Sequence, residues 1–255
     1  MIVDCFPFFN ELDLLEIRLN YLAPYVDHFV IMECPLTWSG KPKPMYFYEN
    51  RNRFKKFNIR YYEGKNLFSD WFNKRNTHHV QMIQREFLFD FALKDMDDED
   101  ILFYSDLDEI PDIETYNYQR GMFMEKVYYF YVNLYTGKKH QAGTMAAKKK
   151  ELNNITQLYY SRKRLPVVGR GWHFSFVGTP ETLMQKADAN GFTVLWPENA
   201  KRQLLINRHN LQHPYHKIWI GNKKRDAILN IEDPSGPKYL LENRDKYKHL
   251  FYEEK

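Results

Sequence analysis

Apolar and polar positions in the first 110 residues fall into blocks that predict strands followed by helices. Leucines at helical spacing predict a helix over 12–22, with Asn10 as its cap. Residues 77–93 carry apolar side chains on one helical face and predict the longest helix. Strands are predicted at four short apolar runs: 2–6, 26–33, 58–63 and 101–105. This alternation predicts an α/β fold with an open, mostly parallel central sheet flanked by helices.

The second half of the chain continues with further strands and helices and shows neither a linker nor an internal repeat. A helix is predicted over 180–189, with Thr179 as its cap and Pro180 at its first position. The other predicted elements are strands at 127–135 and 172–177 and helices at 203–211 and 238–247. We therefore expect one domain over residues 1–255, with ligands bound beyond the carboxyl ends of the parallel strands.

Composition and charge exclude several classes of protein. Phe 19, Tyr 19 and Trp 5 make 17% of the chain aromatic, while Gly 11 and Pro 12 are few, which is typical of a folded domain. Two cysteines are too few for a disulfide framework or a multi-cysteine zinc site. A net charge of +4 does not indicate a nucleic-acid binder. Because no signal peptide or membrane span is visible, we expect a cytoplasmic protein.

The chemistry of the chain centres on an acidic pair at the end of a predicted strand. Signatures of dinucleotide binding and of the phosphate-binding P-loop are missing from the sequence. Of three Asp-x-Asp pairs, two lie in the polar run 95–100 and are interpreted as solvated loop. Asp106 and Asp108 instead follow an apolar strand, and residues two apart in an extended segment project to the same side. Two such carboxylates suit Mn²⁺ or Mg²⁺, although an acidic turn before Pro111 would explain them equally.

Histidines are the candidates for a third ligand of that cation. His173 lies in the aromatic segment GRGWHFSF, where a histidine is either a core residue or a metal ligand. His209, His213 and His216 form a competing cluster, in which the first two would share a face if they lie on one helix.

Four ordered segments resemble glycosyltransferase family 17, the β-1,4-mannosyl-glycoprotein 4-β-N-acetylglucosaminyltransferases. They are 9–22 with 26–44, SDLDEIP at 105–111, GWHFSFVGTPE at 171–181, and 236–251. The resemblance implies a GT-A-like fold, a nucleotide-sugar donor such as UDP-N-acetylglucosamine, a divalent metal and inversion at the anomeric carbon. It also implies a donor-binding half over about 1–111 and an acceptor half over about 112–255.

Site residues implied by this resemblance are carried over one by one. Asp106 and Asp108 fall on the acidic pair of the family and are expected to bind the metal and the donor, with His173 as a further metal ligand. Glu33 and Lys43 fall in the strand-and-loop segment near the donor. For the general base that inversion requires, Glu181 ranks first, because it begins a helix in the matched segment. The other candidates are Asp188, Glu109 and Asp226.

The chain also departs from the family pattern, because it shows no membrane anchor like that of the Golgi members and has a shorter middle region. A bacterial or viral enzyme acting in the cytoplasm fits these departures. Two other hypotheses stay open: a metal-dependent phosphohydrolase or nuclease using the same acidic strand end, and a non-catalytic sugar-binding module using the aromatic residues. The expected partners are a nucleotide-sugar donor and a glycan acceptor.

Overall fold

A computed structural model describes residues 1–65, 77–140, 143–152, 154–189, 205–206, 208–210, 212–220, 223–228, 230–231 and 235–253. Its main feature is a ten-stranded sheet, with a separate two-stranded sheet formed by Gln212–Ile220 (β10) and Lys223–Ile228 (β11). The strands of the large sheet are β1 Ile2–Phe8, β2 His28–Glu33, β3 Ile59–Glu63, β4 Ile101–Tyr104, β5 Glu109–Asp112, β6 Gly121–Tyr129, β7 Leu134–His140, β8 Met145–Lys148, β9 Val167–Ser175 and β12 Asn230–Ile231. The helices are α1 Leu12–Leu22, α2 Tyr46–Asn50, α3 Thr77–Leu93, α4 Ile155–Ser161, α5 Pro180–Ala189 and α6 Lys238–Glu242.

The amino-terminal part of the sheet is parallel, as the alternation of strands and helices predicts. β1 pairs with β2 and β4, and β2 pairs with β3, all in parallel. Successive residues of each strand point to opposite faces, so Phe6 and Phe29 belong to one apolar cluster while Cys5 and Val30 belong to the other. α1 packs into the first cluster and α3 into the second. Helices therefore cover both faces of the parallel strands.

The rest of the sheet corrects the expectation of a mostly parallel sheet. Between the described strands of the large sheet, four pairs are parallel and five are antiparallel. In the pairs β6·β7 and β6·β8 the strands are antiparallel because β6, β7 and β8 are joined by connections too short for a crossover helix. The fold is thus a mixed α/β sheet flanked by helices.

Several boundaries also differ from the sequence prediction. The predicted strand 127–135 is two strands, because the chain turns after Tyr129 and Phe130 takes a φ of 66°. The last helix ends at Glu242 rather than near 247. At the start of α1 the cap position is Glu11, without a side-chain cap hydrogen bond, so Asn10 is not the cap. The predicted helix 203–211 lies partly outside the described residues.

Three helices match their predicted bounds. α1 covers Leu12–Leu22, α3 covers Thr77–Leu93 and α5 covers Pro180–Ala189. At the start of α5 the Thr182 amide donates to the Thr179 hydroxyl over 3.3 Å, which confirms the predicted cap. Among the helices of the described residues, none combines the length and the apolar character needed to cross a membrane.

Candidate active site

A cleft of about 190 Å³ opens at the carboxyl ends of the parallel strands. β1 contributes Pro7 and Phe8, and the loop after β4 contributes Asp106 and Asp108. The opposite side comes from β9 and α5. The cleft is also lined by Glu11, Lys43, His173 and Lys186. The cleft therefore lies where an open α/β sheet binds its ligands.

Asp106 and Asp108 both face this cleft but are held differently. Asp106 is 31% exposed at its side chain, and its Oδ1 accepts a hydrogen bond from Nη2 of Arg85 over 2.6 Å. Arg85 lies on α3 with its side chain only 3% exposed. Asp108 is more buried, and its Oδ2 lies 2.6 Å from Nζ of Lys186. Each aspartate therefore already has a cation beside it.

Lys186 on α5 forms the centre of an ion-pair network in the cleft. Its Nζ lies 2.6 Å from Asp108 Oδ2 and 2.7 Å from Glu11 Oε1. Burial alone would lower the pKa of Lys186, but the two carboxylates outweigh it and raise the pKa above its usual value. The ammonium group therefore stays charged at neutral pH and adds positive charge to the cleft.

His173 faces Asp108 from β9. It lies opposite Glu109 in the antiparallel β5·β9 pair, and the Phe174 amide donates to the carbonyl oxygen of Asp108 over 2.8 Å. Its Nε2 lies 3.8 Å from Asp108 Oδ1. Because Mg²⁺ binds oxygen at about 2.0–2.1 Å, two atoms at this separation can reach one cation between them. The nitrogen and oxygen donors therefore fit a divalent metal.

Two buried carboxyl groups lie behind His173. Glu109, Glu125 and His173 each offer a ligand atom within 4.8 Å of the others. Glu125 Oε1 accepts hydrogen bonds from the amide and hydroxyl of Thr144, whereas its Oε2 is buried without a hydrogen-bond partner. Burial, with the nearby charge of Glu109 second, raises the pKa of Glu125 well above its usual value. Burial therefore favours the protonated form of Glu125 relative to an exposed carboxyl group.

Glu33 and Lys43 lie on the loop side of the cleft. Glu33 is fully buried at the end of β2, and its carboxylate accepts hydrogen bonds from the amides of Phe47 and Tyr48 at the start of α2. Lys43 Nζ donates to Glu33 Oε1 over 3.1 Å and lines the cleft. The structure therefore places Lys43 at the cleft and Glu33 beneath it, where Glu33 holds the loop.

Glu181 is exposed in the first turn of α5. Hydrogen bonds from its own backbone amide and from Thr179 lower its pKa. Among the described residues, Glu181 is not one that lines the cleft. The structure therefore brings Asp106, Asp108, His173 and Lys43 together but leaves Glu181 outside.

The remaining candidates are also dispersed. Asp188 lies on α5, where its carbonyl oxygen accepts a hydrogen bond from Ser39. His209 is exposed, and His213 lies in β10, so these two histidines do not share one helix as the spacing suggested. His216 and Asp226 lie in β10 and β11, and the side chains of these strands fall outside the described residues.

The sequence did not predict the two cations beside the acidic pair, Arg85 and Lys186. It also did not predict Glu11, whose carboxylate pairs with Lys186. Arg85, Lys186 and Glu11 meet Asp106 and Asp108 only through the fold, since Lys186 and Asp108 are 78 residues apart. Only the positions of Glu11 and Lys186 in the sequence could have indicated their place in the site. Glu11 starts the helix after β1, and Lys186 lies on the helix that begins in the matched segment GWHFSFVGTPE.

Comparison with protein families identifies the family to which this chain is similar. The model of glycosyltransferase family 17 matches residues 1–186 of the 255. The matched range includes the cleft residues from β1 through Lys186. No curated protein matches the chain.

Proposed function

The chain belongs to glycosyltransferase family 17, and from this membership we propose that it transfers N-acetylglucosamine from UDP-N-acetylglucosamine to a glycan hydroxyl with inversion. The observation that carries the proposal is the cleft at the carboxyl ends of the parallel strands, where Asp108 and His173 face each other. Family membership also favours transfer over the phosphohydrolase and sugar-binding hypotheses.

The donor diphosphate is proposed to bind between two lysines. Lys43 and Lys186 both line the cleft, and each is held in place by a carboxylate. A fixed ammonium group binds phosphate oxygens through charge-assisted hydrogen bonds. Lys186 therefore has two roles in this proposal: it fixes Asp108 and contributes positive charge for the diphosphate.

Asp106, Asp108 and His173 would hold a Mn²⁺ or Mg²⁺ ion at the same end of the cleft. Such an ion, when bound, acts as a Lewis acid that offsets the negative charge developing on the departing UDP. Asp108 and His173 are fixed by neighbouring backbone, since the Asp108 carbonyl accepts from the amide of Phe174. This arrangement orients both donor atoms before the ligand arrives.

A second cavity of about 220 Å³ adjoins the cleft and suits the acceptor. It is lined in part by Asn10, Thr179 and Thr182, whose polar groups can bind sugar hydroxyls. Glu11 lines both the cleft and this cavity. A general base must come within hydrogen-bond distance of the acceptor hydroxyl. We therefore rank Glu11 ahead of the exposed Glu181 as the base that removes its proton.

Calorimetric titration with UDP-N-acetylglucosamine, with and without Mn²⁺, tests the donor and metal parts of the proposal. The Asp108→Asn variant should lose the Mn²⁺-dependent part of donor binding while circular dichroism shows an intact fold. Unchanged Mn²⁺-dependent donor binding in this variant would show that Asp108 does not bind the metal. A protein that hydrolyses phosphoesters but binds no nucleotide sugar would support the phosphohydrolase hypothesis instead.

The base is tested by comparing Glu11→Gln with Glu181→Gln. We expect Glu11→Gln to bind the donor with wild-type affinity. The rate at which UDP is released during transfer should fall by about 10²–10⁴-fold, which is the usual contribution of general-base catalysis. Glu181→Gln serves as the matched control and should release UDP at nearly the wild-type rate. The reverse pattern would return the role to Glu181.

A further inference from the structure

Three neighbouring strands place Glu109, Glu125 and His173 on one face of the sheet. Glu109 lies opposite His173 in the β5·β9 register. In the parallel β6·β9 register, Val127 aligns with His173, and Glu125 aligns with Gly171. Since residues two apart on a strand share a face, Glu125 lies on the same side as His173. The cluster is thus built by strand register rather than by a loop.

Two glycines lie against the side chain of Glu125. A Cβ at Gly143 would lie 2.2 Å from the Cδ of Glu125, and a Cβ at Gly171 would lie 2.9 Å from its Cγ. Both residues are glycines, so the carboxyl fits between them. The carboxyl group of Glu125 lies in the cluster with Glu109 and His173, and its Oε2 is buried.

Glu109 links this cluster to the acidic loop. Its Oε2 accepts a hydrogen bond from the amide of Asp106 over 3.0 Å. Its carboxyl group also belongs to the cluster with a ring nitrogen of His173. A single side chain therefore contacts the loop that carries Asp106 and Asp108 as well as the group around the histidine.

We propose that Glu109 and Glu125 are positioning residues that fix the tautomer and orientation of His173, with the proton on Nδ1 and the Nε2 lone pair toward Asp108. The structure shows no direct hydrogen bond between Nδ1 and a described residue, so the link runs through one bridging water, which accepts from Nδ1–H and is held by the two carboxyl groups. A carboxyl group behind an imidazole selects which nitrogen carries the proton and orients the ring. The role of Nε2 toward a cation rests on the proposed function, whereas the tautomer itself does not.

The tautomer is tested on the metal-free protein by nitrogen-15 NMR of the histidine rings. The signal of His173 is assigned by its disappearance in His173→Ala. We expect wild-type His173 to show a protonated Nδ1 and an unprotonated Nε2 at pH 8. Glu125→Leu removes the carboxyl group and should shift His173 toward the other tautomer or a mixture.

Two variants separate positioning from loss of stability. Glu125→Gln keeps an oxygen for Thr144 and a polar group of the same size that can hold the bridging water, so the wild-type tautomer should be retained. Val168→Ala truncates a buried side chain of β9 outside the cluster and should leave the tautomer unchanged. If Glu125→Leu leaves the tautomer unaltered, or if Val168→Ala alters it equally, the proposal is wrong.

Mn²⁺ affinity, measured with UDP present by the electron paramagnetic resonance of free Mn²⁺, gives the second readout. Glu125→Leu should weaken binding by about 10–100-fold, as is usual for residues that orient a metal ligand, while Glu125→Gln stays near wild type. In Glu125→Leu/His173→Ala the loss should not exceed that of His173→Ala alone. A Glu125→Gln loss as large as that of His173→Ala would instead make Glu125 itself a metal ligand. If wild type binds no Mn²⁺, the metal part of the proposed function fails, and the NMR result still decides the tautomer.

Discussion

Two buried polar clusters contact the acidic loop 105–108, and they differ in how their charges are balanced. In the first, Arg18 and Asp4 are both fully buried and form a bidentate pair, with distances of 2.6 and 2.8 Å. Arg18 also donates to the carbonyl oxygens of Asp106, Leu107 and Glu109. In the second, Glu109 and Glu125 bring two carboxyl groups together beside His173.

This difference separates a structural cluster from a functional one. The guanidinium of Arg18 matches each of its acceptors, so the cluster is complete without a ligand. The carboxyl pair carries a strongly raised pKa at Glu125 and lies next to the cleft, an arrangement typical of functional sites. The first cluster therefore fixes the position of the acidic loop. The second, in our proposal, orients His173, which faces Asp108 of that loop.

The largest expected effect comes from removing Arg18. Arg18→Met leaves Asp4 buried without its cation and three loop carbonyls without their donor, which should lower the free energy of unfolding by about 3–5 kcal/mol. Urea denaturation followed by circular dichroism measures the loss. Arg18→Lys keeps the charge but lacks the planar guanidinium group. Its free energy of unfolding should therefore lie between those of wild type and Arg18→Met. A loss below about 1 kcal/mol in Arg18→Met would show that the cluster does not hold the loop.

The next largest effect is expected on UDP binding when Lys186 is replaced. Lys186→Met should weaken UDP binding by about 10–100-fold, since a hydrogen bond to a charged group contributes about 1.5–3 kcal/mol. Calorimetric titration with UDP measures the change. Lys246→Met is the matched control, because Lys246 pairs with Glu16 and is 47% exposed. Equal UDP affinity in Lys186→Met and wild type would show that Lys186 does not bind the diphosphate and only pairs with Asp108.

The contrast between these cations also shows what the sequence could predict. α3, α5 and its Thr179 cap were predicted because their signals are local: apolar spacing and a threonine before proline. Asp106, Asp108 and His173 were predicted as site residues, and the structure places them in one cleft. The ion pairs of Arg18 and Lys186 were not, because each joins residues that only the folded chain brings together.

The antiparallel strands were missed for a related reason. Apolar runs at 127–135 and 172–177 indicate strands but contain no information on the direction of their neighbours. The positive φ of Phe130, which divides β6 from β7, falls on a residue type that carries no turn signal. The place of Glu125 beside His173 depends on this strand register and could not be predicted.

A smaller, pH-dependent effect is expected at Glu125. Because its pKa in the folded protein is raised, folding favours the protonated form, and stability is lost as pH rises above the pKa of about 4.5 in the unfolded chain. Glu125→Gln cannot ionise, so its stability relative to wild type should increase with pH. The slope approaches about 1.4 kcal/mol per pH unit. Urea denaturation at pH 5 and 6 checks this, and parallel curves for the two proteins would contradict it.

The smallest effect should come from Arg53, the exposed counterpart of Arg18. Both arginines pair with acidic groups, and the partners of Arg53, Asp13 and Glu16, lie on α1, the helix that carries Arg18. Arg53 is 34% exposed, so water and salt screen its charge in a way that they cannot at Arg18. Arg53→Met should therefore cost about 0.2–1 kcal/mol, and the cost should shrink further in 1 M NaCl. Urea denaturation of Arg53→Met and Arg18→Met at both salt concentrations makes the comparison direct, because only the loss at Arg18 should persist in high salt. Equal losses at the two arginines would mean that charge pairing on α1, rather than burial beneath the acidic loop, determines their contribution.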